Sequence, residues 1–184
     1  MKSSLTIIAI SGVLALAGCD NNGFARRLLR HQPTAAAASG TYTLAVVNVD
    51  QVEEGLNAKI IAHKPVPTLV LQSDGTAMVN HYPVFSDAGN YNYRFSGFKS
   101  FKATWRILPV GNVSDGESKT TKVFGISMDS LDPKESNLRI EALSFTGAST
   151  PDGLVLTLYD GSQGQRLEFS KQSEPTAPNS EPAK

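Results

Sequence analysis

Leu69-Val70-Leu71-Gln72-Ser73-Asp74-Gly75-Thr76-Ala77-Met78-Val79 is the stretch whose reading decides the fold. Two apolar, β-favouring runs flank Asp-Gly, a strong local signal for a tight hairpin. A two-residue turn would set Leu69 and Leu71 opposite Asn80 and Met78. A type I turn with Gly75 in a bulge pairs them with Val79 and Ala77 instead. The second register keeps one face uniformly apolar, and because a one-residue slip moves every side chain to the other face, it is the expected one.

The same texture extends in both directions. Residues 41–49, 68–80, 101–108, 122–128, 137–146 and 153–169 are rich in Val, Leu, Ile, Thr and aromatics, and clusters of Gly, Pro, Asp and Ser separate them. Phe101, Ala103, Trp105 and Ile107 alternate with Lys102, Thr104 and Arg106, the period of a strand with one buried face. Leu138, Ile140 and Ala142 alternate with Arg139 and Glu141, and Leu154, Leu156 and Leu158 repeat the pattern. A second hairpin turns through residues 160–164 into 166–169. Only residues 50–58 look helical, and Gly55 interrupts them. The expected class is all-β, about eight antiparallel strands in an up-and-down barrel or a β-sandwich.

Residues 40–170 are expected to form one domain. They hold seven Lys and four Arg against eight Asp and six Glu, so no basic face is concentrated there and nucleic acid is excluded as a partner. Residues 19–39 read as a flexible tether. Phe24, Leu28 and Leu29 beside Arg26, Arg27 and Arg30 would form a short basic amphipathic patch able to rest on anionic headgroups. Residues 171–184, with three Pro and no large apolar side chain, read as a disordered tail.

The first residues carry an address. After Lys2, residues 5–18 are uncharged and rich in Leu, Ile, Val and Ala, too short for the roughly 20 apolar residues of a comfortable spanning helix. Leu16-Ala17-Gly18-Cys19 resembles the lipobox of bacterial lipoproteins, and Cys19 is the only cysteine of the chain, which leaves no disulfide to explain it. The resemblance implies that residues 1–18 are a signal peptide and that Cys19 becomes a lipidated amino terminus. More than one acyl chain gives stable attachment. Asp20-Asn21 resembles the enterobacterial signal that retains a lipoprotein at the inner membrane, on its periplasmic face, the outer membrane being the second choice. In the domain, Gly40-Thr41-Tyr42 resembles the Gly-x-Trp that opens lipocalin-like barrels. Arg166 would then be the cation packed on that aromatic ring.

No catalytic constellation stands out. There is no Gly-x-Ser-x-Gly elbow, no phosphate-cradling glycine loop and no calcium loop, and the adjacent Glu53 and Glu54 point apart in any regular element. His63-Lys64-Pro65-Val66 and His81-Tyr82-Pro83-Val84 form a repeated His-x-Pro-Val. In the expected register His81 faces Pro67, four residues from His63 and roughly 13 Å away along an extended strand; a bend at Pro65 or Pro67 would shorten this, but the spacing argues against a shared metal. No metal and no cofactor are expected.

Eight of the fourteen aromatic residues fall between Tyr82 and Trp105. Phe101 and Trp105 read as core. The others either line the barrel or lie exposed at its mouth, and on the second reading Tyr82, Phe85, Tyr91, Tyr93, Phe95 and Phe98 are the candidate partner-binding residues, rigid amphipathic rings suited to a protein interface. The leading functional expectation is a membrane-anchored, non-enzymatic interaction module for a periplasmic protein, similar in format to inhibitor and immunity lipoproteins. The alternative is a lipocalin-like carrier of a small apolar ligand. Cys19→Ala is expected to abolish palmitate labelling and to leave an unprocessed precursor; a variant processed and fractionated like the wild type would refute the lipid anchor.

Overall fold

The computed structural model describes residues 27–49, 54–87, 93–114, 120–133, 138–157 and 165–173. Cys19, Asp20, Asn21, Phe24, Arg26 and Tyr91 lie outside these residues, as do 174–184. The Asp74-Gly75 hairpin forms in the bulged register, with Leu69 opposite Val79 and Leu71 opposite Ala77. Gly75 takes φ +86°, a conformation that costs an L side chain dearly. The Thr76 hydroxyl and then its amide donate to the Asp74 carboxylate, holding its pKa below the usual range and locking the turn.

Eight strands follow in order: β1 Gly40–Asn48, β2 Thr68–Leu71, β3 Thr76–Asp87, β4 Tyr93–Ser114, β5 Thr120–Ser130, β6 Arg139–Thr146, β7 Gly153–Thr157 and β8 Arg166–Lys171. Each pairs antiparallel with the next, and β8 pairs with β1, so the sheet closes into an up-and-down barrel. Closure decides between the two expected architectures and leaves the sheet without terminal edge strands.

The interior is built by alternation that breaks at defined places. On β3, Ala77 and Val79 face in; after a register shift at His81, which takes φ +51°, it is Tyr82 and Val84 that are buried. Leu138, just before β6, and Ile140 on it face in until Ala142, at φ +58°, shifts the register, and then Leu143 and Phe145 do. Ala142 is therefore not on the inner face the simple alternation assigns it. A third shift between Leu44 and Val46 does the same to β1. Each bulge adds a residue and bends its strand, which is how a sheet coils tightly enough to close. An eight-stranded barrel is just wide enough to be filled by side chains. Here one continuous apolar cluster runs through it, with Tyr42, Phe145 and Phe169 almost wholly buried.

Both ends are covered. Residues 27–39, expected as tether, belong to the fold. Where the pairing of β5 with β6 stops at Gly125 and Ser144, residues 27–29 insert between the two strands. The Leu29 amide donates to the Phe145 carbonyl at 2.9 Å, the Phe124 amide to the Leu29 carbonyl at 3.1 Å, and the Gly147 amide to the Arg27 carbonyl at 2.8 Å. Leu29 enters the main core, while Leu28 points the other way onto Val113 and Val123. An extended segment turns neighbours to opposite faces, so the two leucines share no helical stripe. The chain then forms α1, Ala35–Ala38, across the barrel end; the Thr34 hydroxyl accepts from the Ala37 amide. At the opposite end α2, Leu56–Ile61, buries Leu56 and Ile60 in the core. The helix begins after Gly55 rather than running through it, because Gly55 supplies the left-handed entry at φ +77°.

Leu29→Ala is expected to cost about 2–5 kcal/mol, as for any well-packed buried leucine. Residues 27–173 expressed alone should melt cooperatively, and residues 40–170 should melt well below them, as checked by circular dichroism.

Candidate functional site

The β3–β4 pair is longer than the barrel needs. β2 leaves β3 at Asn80 and β5 leaves β4 at Ala103, yet β3 and β4 stay paired to Asp87 and Tyr93. Among the described residues, residues 82–87 and 93–101 therefore form a two-stranded arm that no third strand flanks. This arm is the aromatic segment singled out in the sequence. A second shift, where Val84 faces Gly97 but Phe85 faces Phe95, curls it over the α2 end of the barrel; Gly97 takes φ +106° there.

Curling decides where the rings go. Tyr82 stacks on Phe169 with centroids 6.0 Å apart and parallel planes, and both Tyr82 and Phe85 are buried. Neither is an exposed contact residue, because the bulge at His81 turns Tyr82 inward. Phe95 and Phe98 are half-buried, edge to face at 5.2 Å, and Phe95 meets Phe85 at 5.7 Å. The Tyr93 backbone pairs with Asp87; its side chain lies outside the described residues. On the outer face of the arm are Arg94 and Ser96, both exposed, and a polar pair in which the Ser96 hydroxyl donates to that of Ser86 at 3.1 Å.

At the root of the arm the chain brings together two residues expected to be apart. His63, just beyond α2, lies flat on Phe98 with centroids 3.7 Å apart, and its ring is 5.4 Å from that of His81. The predicted register holds, since Thr68 does face Asn80. The chain is not extended before Thr68: the His63 amide still bonds back to the Ile60 carbonyl at 3.2 Å, and the two rings come close. Among the described residues no cluster of three or more His, Cys, Asp or Glu stands near enough to hold a metal.

The opposite end carries a latch that the sequence reading assigned to the wrong cation. Arg166 pairs with Asn48 near the α2 end and binds Glu168. It is Lys171, across from Tyr42, whose Nζ lies 5.7 Å from the Tyr42 ring centre and donates to the Ala37 carbonyl at 2.7 Å. The Tyr42 hydroxyl donates to the Ala38 carbonyl at 2.7 Å. Burial, and then the Asp152 carboxylate nearby, push that hydroxyl's pKa far up, so it stays a donor. Extending the last strand through Lys171 and counting its register against β1 would have found the pair; ending the domain at Ser170 hid it. Beside this end, a cleft of about 720 Å³ lies between Gln32–Ala35, the Ser73–Gly75 turn and Trp105–Ile107.

Compared with known proteins, the chain matches no family model, no curated protein and no solved structure.

Two tyrosines make opposite forecasts. The Tyr82 hydroxyl is buried with no hydrogen-bond partner, and removing an unsatisfied buried group is favourable, so Tyr82→Phe should stabilise the protein by about 1 kcal/mol. Tyr42→Phe deletes a made bond and should destabilise it by about the same amount. Denaturant melts of the two variants check both signs.

Proposed function

We infer that the protein is a lipid-anchored interaction module of the bacterial envelope, held at the periplasmic face of the inner membrane, which engages another protein through the β3–β4 arm. It is read as non-enzymatic and as inhibitor- or immunity-like in format. The observation that carries this reading is the arm itself: a paired hairpin whose outer edges have no strand partner among the described residues. Open edges offer unpaired amides and carbonyls, a hazard that native sheets ordinarily cover and a recognised mode of partner addition. Half-buried Phe95 and Phe98 add apolar surface beside those edges.

A carrier reading draws less support. Its ligand would need room in the barrel, where Ile60, Phe169 and Leu167 already stand in one packed cluster. No helix among the described residues is long and apolar enough to span a membrane, and the proposed attachment is the lipid on Cys19. Because residues 27–39 are bound into the fold, only seven residues separate Cys19 from Arg27. They reach under about 30 Å even fully extended. A lipid there holds the α1 end close to the bilayer and leaves the α2 end and the arm facing the periplasm.

Photo-crosslinking in intact cells tests the reading. A crosslinker at Arg94 or Ser96 is expected to yield one discrete protein adduct, whereas one at Met78, exposed on the barrel wall, yields none. Equal adducts at all three positions, or none on the arm, would refute it.

A further inference from the structure

We propose that His63 and His81 form an open binding site for a late first-row divalent metal ion, Zn²⁺ or Cu²⁺. The two rings stand 5.4 Å apart, centre to centre. With a zinc–nitrogen bond of about 2.0–2.1 Å and a ring centre roughly 1.2 Å behind the nitrogen, two imidazoles on one tetrahedral ion have centres roughly 5.2 Å apart. The pair thus already has the spacing that shared ligation requires.

Three further observations bear on the same place. The Nε2 atom of His63 is buried without a hydrogen-bond partner, and such an orphan in a folded protein calls for an explanation that a bound cation supplies. Phe98 stacks on the face of His63 at 3.7 Å, which fixes the ring while leaving its in-plane lone pair free to ligate. His81 occupies a left-handed backbone conformation at φ +51°, tied by its amide to the Ser100 hydroxyl at 2.9 Å. Backbone of that kind is costly for a residue other than glycine and concentrates where a side chain must be aimed.

The donors select the ion: Ca²⁺ and Mg²⁺ take oxygen ligands, whereas Zn²⁺ and Cu²⁺ bind neutral imidazole well. No third protein ligand joins among the described residues, which leaves coordination positions for water or for a donor brought by another molecule. Two ligands predict micromolar affinity. The ion would also tie the α2 connection to β3, stabilising the covering of that end.

The test is calorimetric titration of Zn²⁺ into the full, membrane-extracted chain in detergent. The expected result is one equivalent bound, weakened at least about tenfold by His63→Gln and by His81→Gln and unchanged by His31→Gln. Absence of binding in the micromolar range, or binding unaffected by both substitutions, would overturn the site. Should either variant fail to fold, histidine proton resonances of the otherwise unaltered chain decide it: zinc must shift those of His63 and His81 and spare His31. A shift confined to His31 would equally overturn the proposal.

Discussion

The Lys171 ammonium, seated over the Tyr42 ring and on the Ala37 carbonyl, is the contact on which the rest of the barrel depends. It joins the last strand to the first and joins both to the helix that covers their end. A helix of four residues has almost no internal hydrogen bonding, so its terminal carbonyls need outside donors. Lys171 supplies one, Tyr42 a second to Ala38, and the Ser39 hydroxyl a third to Ala35. The positive charge at a helix C-terminus is favourable in its own right. Gly40 makes the geometry possible, since a Cβ there would lie 2.8 Å from the lysine stem. Residues 27–29, which precede α1, are held by their own bonds to Phe145, Phe124 and Gly147, and Leu29 lies in the core.

Much of this architecture was legible in the chain. Period-two alternation located the strands, and the Asp74-Gly75 turn with its apolar faces gave the register of β2 with β3 residue by residue. Other features were hidden for identifiable reasons. A bulge has no strong sequence signature when its residue is His81 or Ala142 rather than glycine, so the change of face after each was not foreseen. Residues 27–39 looked like linker because their two buried leucines serve different clusters and show no period. Whether the barrel closed depended on β1 meeting β8, a contact between the two ends of the domain that local pattern does not encode.

The aromatic segment was recognisable as unusual, with core and surface both open for its rings. Both readings applied in part to one hairpin: bulges at His81 and Gly97 fold its inner face onto the core, while its outer edges pass beyond the neighbouring strands. The same bend, together with the connection from α2 to β2, brings His63 to His81. Core packing, an open β-edge and a pair of imidazoles thus share the end of the barrel opposite α1. The barrel interior itself is filled, with one continuous apolar cluster running through it.

Hydrogen–deuterium exchange of the intact chain, resolved to single amides, tests this division most directly. Leu29, Phe124 and Gly147, whose amides tie residues 27–29 to the neighbouring chain, should exchange as slowly as the core of β1, while the outward-facing amides of residues 94–100 exchange orders of magnitude faster although they lie in a strand. Rapid exchange at Leu29, Phe124 and Gly147, or uniform protection along the arm, would contradict a barrel sealed by residues 27–39 and working through an open β3–β4 edge.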